Sequence, residues 1–304
     1  MITSQSIPYW PEGVELHSSE IADIFLRQHH DLNEISAVIL KEVDGRSSIL
    51  DIATLLCERY DWPLEQVEAD IVEMVISLNQ RYLINVYEGR TWKSILRFSF
   101  VSLLFFLRTL QTARFDVKKR VPLSPDKKMG RTFIIILSYI FRSMLIPLAI
   151  LSVMLYGFLS MLELDALPSA LIFFTGVIAS FTLHEFAHAM MFIWKAPPEE
   201  HAFFAYRRGA FQIVKRRGTP MAEFMIALAG PLFPTIIGIS GTLFFWSGGL
   251  FPSSWMIAPW IFNVVFTIHA LTLFPPFADG KRMLEAGIAM RLHKKLAVRK
   301  DESV

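Results

Sequence analysis

Two stretches within the first 90 residues place apolar side chains three and four apart, the period of a helix with one buried face. In the first, Ile49, Ile52, Leu56 and Tyr60 share a stripe. Ser48 with Asp51 three residues later supplies an N-cap, and Asp61-Trp62-Pro63 ends the segment. In the second, Leu64, Val67, Ile71, Met74 or Val75, and Leu78 align, with Glu65, Glu68, Asp70 and Glu73 at other positions. Ahead of both, Glu20–Gln28 alternates weakly and reads as a strand. Beyond residue 140 the pattern changes to continuous apolar runs. Ser143–Leu162 is 20 residues without charge, about 30 Å long as a helix. Ser169–Trp194 adds 26 more, and the 55 residues between Glu223 and Asp279 contain no Asp, Glu, Lys or Arg. That tract is long enough for two crossings, broken near Ser247-Gly-Gly249 and Phe251-Pro-Ser-Ser254. The expected fold is a mainly α membrane protein with about four transmembrane helices and a short cytoplasmic hairpin, plus a small N-terminal α+β domain of winged-helix type.

Charge sharpens this division. The 304 residues are 53% hydrophobic and only 19% charged, against about 25% in soluble domains, and with the 55-residue uncharged tract this excludes a wholly soluble protein. Residues 1–90 carry 6 Lys+Arg against 16 Asp+Glu, a net of −10, and residues 91–304 carry 24 against 12, a net of +12. The basic residues sit in short blocks beside apolar runs, a pattern suited to a lipid bilayer and not to nucleic acid. Arg108–Arg131 has eight Lys+Arg, Lys195–Arg217 six and Lys281–Lys300 seven, whereas Glu163–Pro168 and Ser247–Ser254 have none. The positive-inside rule therefore predicts a multi-pass cell-membrane protein with both termini cytoplasmic. Ser94–Leu110, interrupted by Arg97 and Arg108, reads as an interfacial helix. The single cysteine, Cys57, allows no internal disulfide and reads as a small core residue. Glu12, Glu15, Glu20 and Asp23 argue against a cleaved secretory signal. The predicted regions are 1–90, a cytoplasmic recognition domain; 91–131, a basic connection; 132–290, the membrane domain; and 291–304, a basic tail.

In the first region, the run Asp31-Leu-Asn-Glu-Ile-Ser-Ala-Val-Ile-Leu40, then Asp44-Gly45, the helix from Ser48, and Val67-Glu-Ala-Asp-Ile-Val72 through Arg81-Tyr-Leu-Ile84 resemble the PqqD family over residues 15–88. The resemblance implies binding of the leader segment of a ribosomally synthesised precursor peptide, added to the domain's sheet as an extra strand. Tyr82 stands where the family usually has Gly.

Within the second predicted crossing lies His184-Glu185-Phe186-Ala187-His188. Ionisable groups inside a membrane helix are costly and need a reason. Four-residue spacing puts both imidazoles on one helix face, where they can hold one Zn²⁺ with Glu185 beside its open position. Zinc lowers the pKa of bound water toward ~7, and a carboxylate can then take the proton as water attacks a peptide carbonyl. A catalytic zinc needs a third protein ligand. Asp279, in Leu273-Phe-Pro-Pro-Phe-Ala-Asp-Gly280, is the acidic residue at the end of the uncharged tract. His188 lies seven residues, about 10 Å, inside Lys195, a depth Asp279 matches if Pro275 and Pro276 break their helix.

These features over residues 132–290 resemble the site-2 protease family of intramembrane zinc metallopeptidases. The resemblance implies His184, His188 and Asp279 as zinc ligands and Glu185 as the catalytic base. Ala227-Leu-Ala-Gly-Pro231 is similar to the family's Ala-Gly-Pro segment. Pro234 and either Leu271 or Thr272 stand where the family usually has Asn. His269, expected on the same helix as Asp279, reads either as an electrostatic helper facing the cavity or as a packing residue. Ala202–Val214 alternates around Arg207-Arg208-Gly209 and reads as a hairpin, either a plain connection or an edge for an extended substrate.

Together these readings predict a membrane zinc endopeptidase that cleaves a ribosomally synthesised, modified precursor peptide in maturation or export of a bacteriocin-like product. A peptide-modifying enzyme or exporter is the expected partner. The alternatives are regulated intramembrane proteolysis of a membrane-bound signalling protein and a non-catalytic membrane binding or immunity protein.

Overall fold

A computed structural model describes residues 2–87, 118–123, 129–197, 200–207, 210–216, 218–247, 255 and 257–301. The helix expected over Ser94–Leu110 and the break expected at Phe251–Ser254 lie outside these residues. The chain divides into two units, Met1–Pro122 with His201–Lys215, and Leu123–Glu200 with Arg216–Val304.

The first unit runs through strands β1 (Ile7–Tyr9), β2 (Val14–Leu16), β3 (Glu20–Asp23) and β4 (Gln28–Asp31), helices α1 (Glu34–Lys41), α2 (Ile49–Tyr60) and α3 (Leu64–Gln80), and strand β5 (Asn85–Tyr87). β2, β3 and β4 form an antiparallel meander, and β1 pairs with β5. Glu20–Gln28 is therefore not one strand. The Asp23 carboxylate accepts the Leu26 N–H at 3.1 Å, and Arg27 adopts a φ of 51°, so the chain reverses after four residues. α2 begins in a reciprocal cap: the Ser48 hydroxyl accepts the Asp51 N–H and the Asp51 carboxylate accepts the Ser48 N–H. The same Ser48 groups hold the Asp51 carboxyl below its usual range. α2 ends at left-handed Asp61, whose N–H reaches the Cys57 carbonyl at 2.9 Å.

Ile49, Ile52 and Leu56 meet Val67, Ile71, Val75 and Leu78 in one buried core. Of the Met74 and Val75 pair, Val75 is the core residue, and Cys57 lies half-buried at the core's edge. Tyr60 is exposed and stacks on Trp62.

A further sheet has strands β6 (Lys119–Leu123), which belongs to this unit up to Pro122, β7 (Ala202–Arg207) and β8 (Ala210–Lys215), in the order β6-β7-β8. β7 and β8 form the expected hairpin, in register from Ala202↔Lys215 to Arg207↔Ala210. The hairpin was assigned by sequence to the 132–290 region, yet it clusters with residues 1–122. What joins them is Arg120 on β6. Its guanidinium donates to both Asp23 oxygens, at 2.5 and 2.9 Å, and lies over the rings of Phe25 and Phe203. Arg120 and Asp23 are both buried. Two amides bind the strand's backbone: Asn79 pairs with the N–H and C=O of Lys118, and Asn85 with those of Arg120, all at 2.8–3.0 Å. Tyr82 has a φ of 62°, which explains why glycine suits the position. A tyrosine there bears backbone strain but contributes a ring that contacts Phe203 and lies under the Lys118 ammonium.

The second unit is helical: α4 (Met129–Met161), α5 (Ala166–Lys195), α6 (Pro220–Trp246), α7 (Ala258–Thr267), a 3₁₀ turn at Ile268–Leu273, and α8 (Ala278–Asp301). Four segments among the described residues are long and apolar enough to cross a membrane: Met144–Met161, Ala166–Lys195, Pro220–Phe245 and Ala258–Leu292. α5 packs against α4, α6 and α7, and α6 packs against α8.

Asp165, just before α5, ties that helix to the start of α7. Its carboxylate accepts the N–H groups of Ile257 and Ala258, both at 2.9 Å, an N-terminal cap provided from another helix. Burial pushes its pKa up, but the Ala258 and Ile257 N–H groups outweigh burial, so the net shift is downward. A depressed carboxylate stabilises the fold fully above its unfolded pKa of about 4, and that contribution disappears as pH falls through the folded value. Asp165→Ala is expected to cost about 1 kcal/mol. Thermal unfolding in detergent should show a constant gap from wild type between about pH 5 and 8 that closes below about pH 4.

Candidate metal centre

Two elements of the helical unit converge on one cluster of three side chains. α5 contributes His184 and His188, one turn apart, and the first turn of α8 contributes Asp279. The two Nε2 atoms are 3.2 Å apart. Asp279 Oδ2 is 3.2 Å from His184 Nε2, and Oδ1 is 3.4 Å from His188 Nε2. Both imidazoles are 7% exposed, and the Asp279 side chain is 13% exposed, low enough for a ligand to replace most of the bulk water around the three donors.

The fit to a metal ion can be tested on these distances. Nitrogen and oxygen donors bound tetrahedrally at ~2.0–2.1 Å lie about 3.3–3.4 Å from one another, close to the spacing found. Among the described residues, these three form the group of His, Cys, Asp and Glu able to hold a metal ion. The His188 ring is also oriented as a ligand should be. Its Nδ1 lies 2.6 Å from the Ile226 carbonyl and donates to it, which leaves the Nε2 lone pair for the cluster. Glu185, next in sequence to His184, is partly exposed.

Local sequence accounts for much of this placement. Gly230 lies on α6 against the His188 ring, and a Cβ there would overlap the imidazole. Thus the glycine of the Ala-Gly-Pro segment lets α6 approach the ligand helix. Gly280 has a similar steric reason, because a Cβ would run into the carbonyl of Phe274. The Pro275-Pro276 pair separates the 3₁₀ turn from α8 and puts Asp279 at a helix start. His269 is therefore not on the same helix as Asp279. It lies on the 3₁₀ turn, 3% exposed, with its ring 4.8 Å from that of His184 and 4.9 Å from that of Phe181.

Of the other histidines, His201 stacks on Phe25, and His29 faces Glu20 at 3.2 Å. The Ile226 carbonyl and the Asp165 cap were not found by sequence, because a backbone acceptor leaves no residue-type signal and Asp165 stands alone in a loop.

Fold and site define a chain with an acidic α+β domain joined to a bundle of apolar helices that carries a His₂Asp cluster able to hold a metal ion. The N-terminal part is recognisable by comparison. Residues 26–84 match the family described as Coenzyme PQQ synthesis protein D (PqqD). The PqqA binding protein of Xanthomonas axonopodis pv. citri is 30% identical over 89 residues, covering 28% of this chain and 97% of that protein. The Bifunctional coenzyme PQQ synthesis protein C/D of Methylorubrum extorquens is 31% identical over 83 residues, 26% of this chain and 22% of that protein's length. Through its N-terminal domain the chain belongs to the PqqD family. No solved structure matches the chain.

Proposed function

We propose that this protein is a membrane zinc endopeptidase that cleaves a ribosomally synthesised precursor peptide recruited by its PqqD-like domain. The observation that carries the reading is the set of three donor atoms at 3.2–3.4 Å, on residues that resemble those of the site-2 protease family. His184, His188 and Asp279 would hold the ion. Zinc in such a site supplies Lewis acidity toward water and the peptide carbonyl. Glu185 takes the proton from the attacking water and passes it to the departing amine. His188, fixed by the Ile226 carbonyl, keeps its ligand nitrogen aimed without reorganisation.

The peptide-binding half of the reading draws on the name of the PqqA binding protein. Precursor peptides suit the N-terminal domain physically. β2 and β4 are the outer strands of the meander and offer unpaired main-chain groups to an extended peptide. On the same domain, α1, α3 and Trp62 line a half-open pocket of ≈ 240 Å³ with Ile35, Ile39, Val67 and Asp70, room for an apolar anchor. Covalent linkage of recognition and cleavage raises the peptide's local concentration.

A membrane setting agrees with the large apolar side chains exposed on α4, including Ile150, Val153, Met154 and Phe158. Loop charge favours cytoplasmic termini. A peptide-modifying enzyme or an exporter fits as a partner in the same pathway.

The full chain, co-expressed with small peptides encoded beside it, tests this reading. Mass spectrometry should find one shortened peptide that depends on the chain. If every such peptide stays intact in the presence of zinc-loaded protein, the proposal is wrong.

A further inference from the structure

We propose that His269 is a further catalytic residue: a hydrogen-bond donor to the carbonyl oxygen of a peptide brought to the His184-His188-Asp279 cluster. The proposal rests on the reading of that cluster as a peptidase centre.

His269 is almost fully buried, yet its Nε2 has no hydrogen-bond partner among the described residues. A buried polar nitrogen left unpaired is costly and uncommon, and in a native site it calls for an explanation. Packing does not supply one. The ring meets Phe181 edge-to-face and His184 at a tilt, both on α5, and an apolar ring or a leucine would make the same contacts without stranding a nitrogen. Metal ligation does not supply one either. The donor atoms that lie within 4.8 Å of one another belong to His184, His188 and Asp279 and do not include His269. The residue is nevertheless held firmly next to the first ligand. Its carbonyl accepts the Thr272 hydroxyl at 2.8 Å, and the Phe274 N–H closes the 3₁₀ turn on Leu271.

What remains is a partner that arrives with the substrate. With its proton on Nε2, the ring donates one hydrogen bond. When water adds to the scissile carbonyl, its oxygen bonds to the carbon and its proton goes to Glu185, while the C=O π electrons move onto the carbonyl oxygen. A fixed donor meets charge that grows on that oxygen, and such a group favours the transition state over the ground state. The electron pair returns as the C–N bond breaks, and the amine leaves with the proton from Glu185. No oxidant or second co-substrate is involved.

The test uses full-length protein in detergent with Co²⁺ as a visible reporter, and acetohydroxamate as a probe whose carbonyl oxygen occupies the metal site. Wild type should bind one Co²⁺ and shift its spectrum with acetohydroxamate. His269→Leu should keep the Co²⁺ and its spectrum but bind acetohydroxamate about tenfold more weakly, the loss of one hydrogen bond. His269→Gln, which retains an N–H donor, should recover most of that affinity. Equal affinity in wild type and His269→Leu overturns the donor role while leaving the metal centre standing. Loss of Co²⁺ from both variants also overturns it, because His269 would then be holding the metal. If wild type itself takes up no Co²⁺, the peptidase reading fails first, and the two failures are distinguishable.

Discussion

Glu185→Gln is expected to lower peptide cleavage by about 10³-fold while leaving the metal in place, since a general base contributes 10²–10⁴. The amide keeps nearly the shape and volume of the carboxylate, but it cannot accept the proton of the attacking water. His184, His188 and Asp279 are untouched by the change, and their mutual distances do not depend on Glu185. Purified variant and wild type should therefore contain equal zinc and bind the precursor peptide equally, differing in turnover alone. Mass-spectrometric rates on one peptide, with metal content measured on the same samples, make the check. Full activity in the variant would remove Glu185 from the chemistry.

The second large effect is structural. Arg120→Ala should destabilise the N-terminal unit by about 3–5 kcal/mol, because it strands a buried carboxylate. Asp23 sits at the end of β3, and its side chain is 1% exposed. The guanidinium that neutralises it comes from a residue 97 positions away. The same substitution removes the cation lying over the Phe25 and Phe203 rings and so loosens the hairpin β7-β8 from the domain. Replacing both charges, Arg120→Met with Asp23→Leu, should recover most of the loss, since a buried pair exchanged for apolar side chains of similar volume is often neutral. Urea unfolding followed by tryptophan fluorescence, which reads Trp10 and Trp62 packed at this core, measures both. A further consequence is that a fragment of residues 1–90 lacks Arg120 and should be less stable than the same domain in the full chain.

These two cases show where a sequence speaks and where it does not. The caps and stripes of α2 and α3 were legible, because each depends on residues three or four apart and on a serine facing an aspartate. The β7-β8 hairpin was legible from its alternation. The four apolar segments were legible from length alone. His184, His188 and Asp279 could be chosen together because ionisable groups are so scarce in that part of the chain.

By contrast, the strand expected over Glu20–Gln28 runs past the end of β3 through the turn, since nothing in that stretch announces that the Asp23 side chain will fold back on Leu26. The allegiance of the hairpin to the N-terminal unit depends on Arg120, whose charge in a basic block looks like any other. Tyr82 was visible as a departure from the PqqD pattern, but only its φ of 62° explains what the departure costs and its ring contacts what it provides. The Ile226 carbonyl that orients His188 has no identity in sequence at all.

The proposed chemistry depends most on a single metal ion held by two imidazoles and one carboxylate. Elemental analysis of full-length protein purified in detergent, compared with His188→Ala and Asp279→Ala prepared alongside, addresses this directly. One equivalent of zinc in the wild type, and a loss of most of it in each variant, is the expected result. A wild type without stoichiometric metal after zinc is supplied, or variants that retain it in full, would show that the cluster of His184, His188 and Asp279 is not a metal centre.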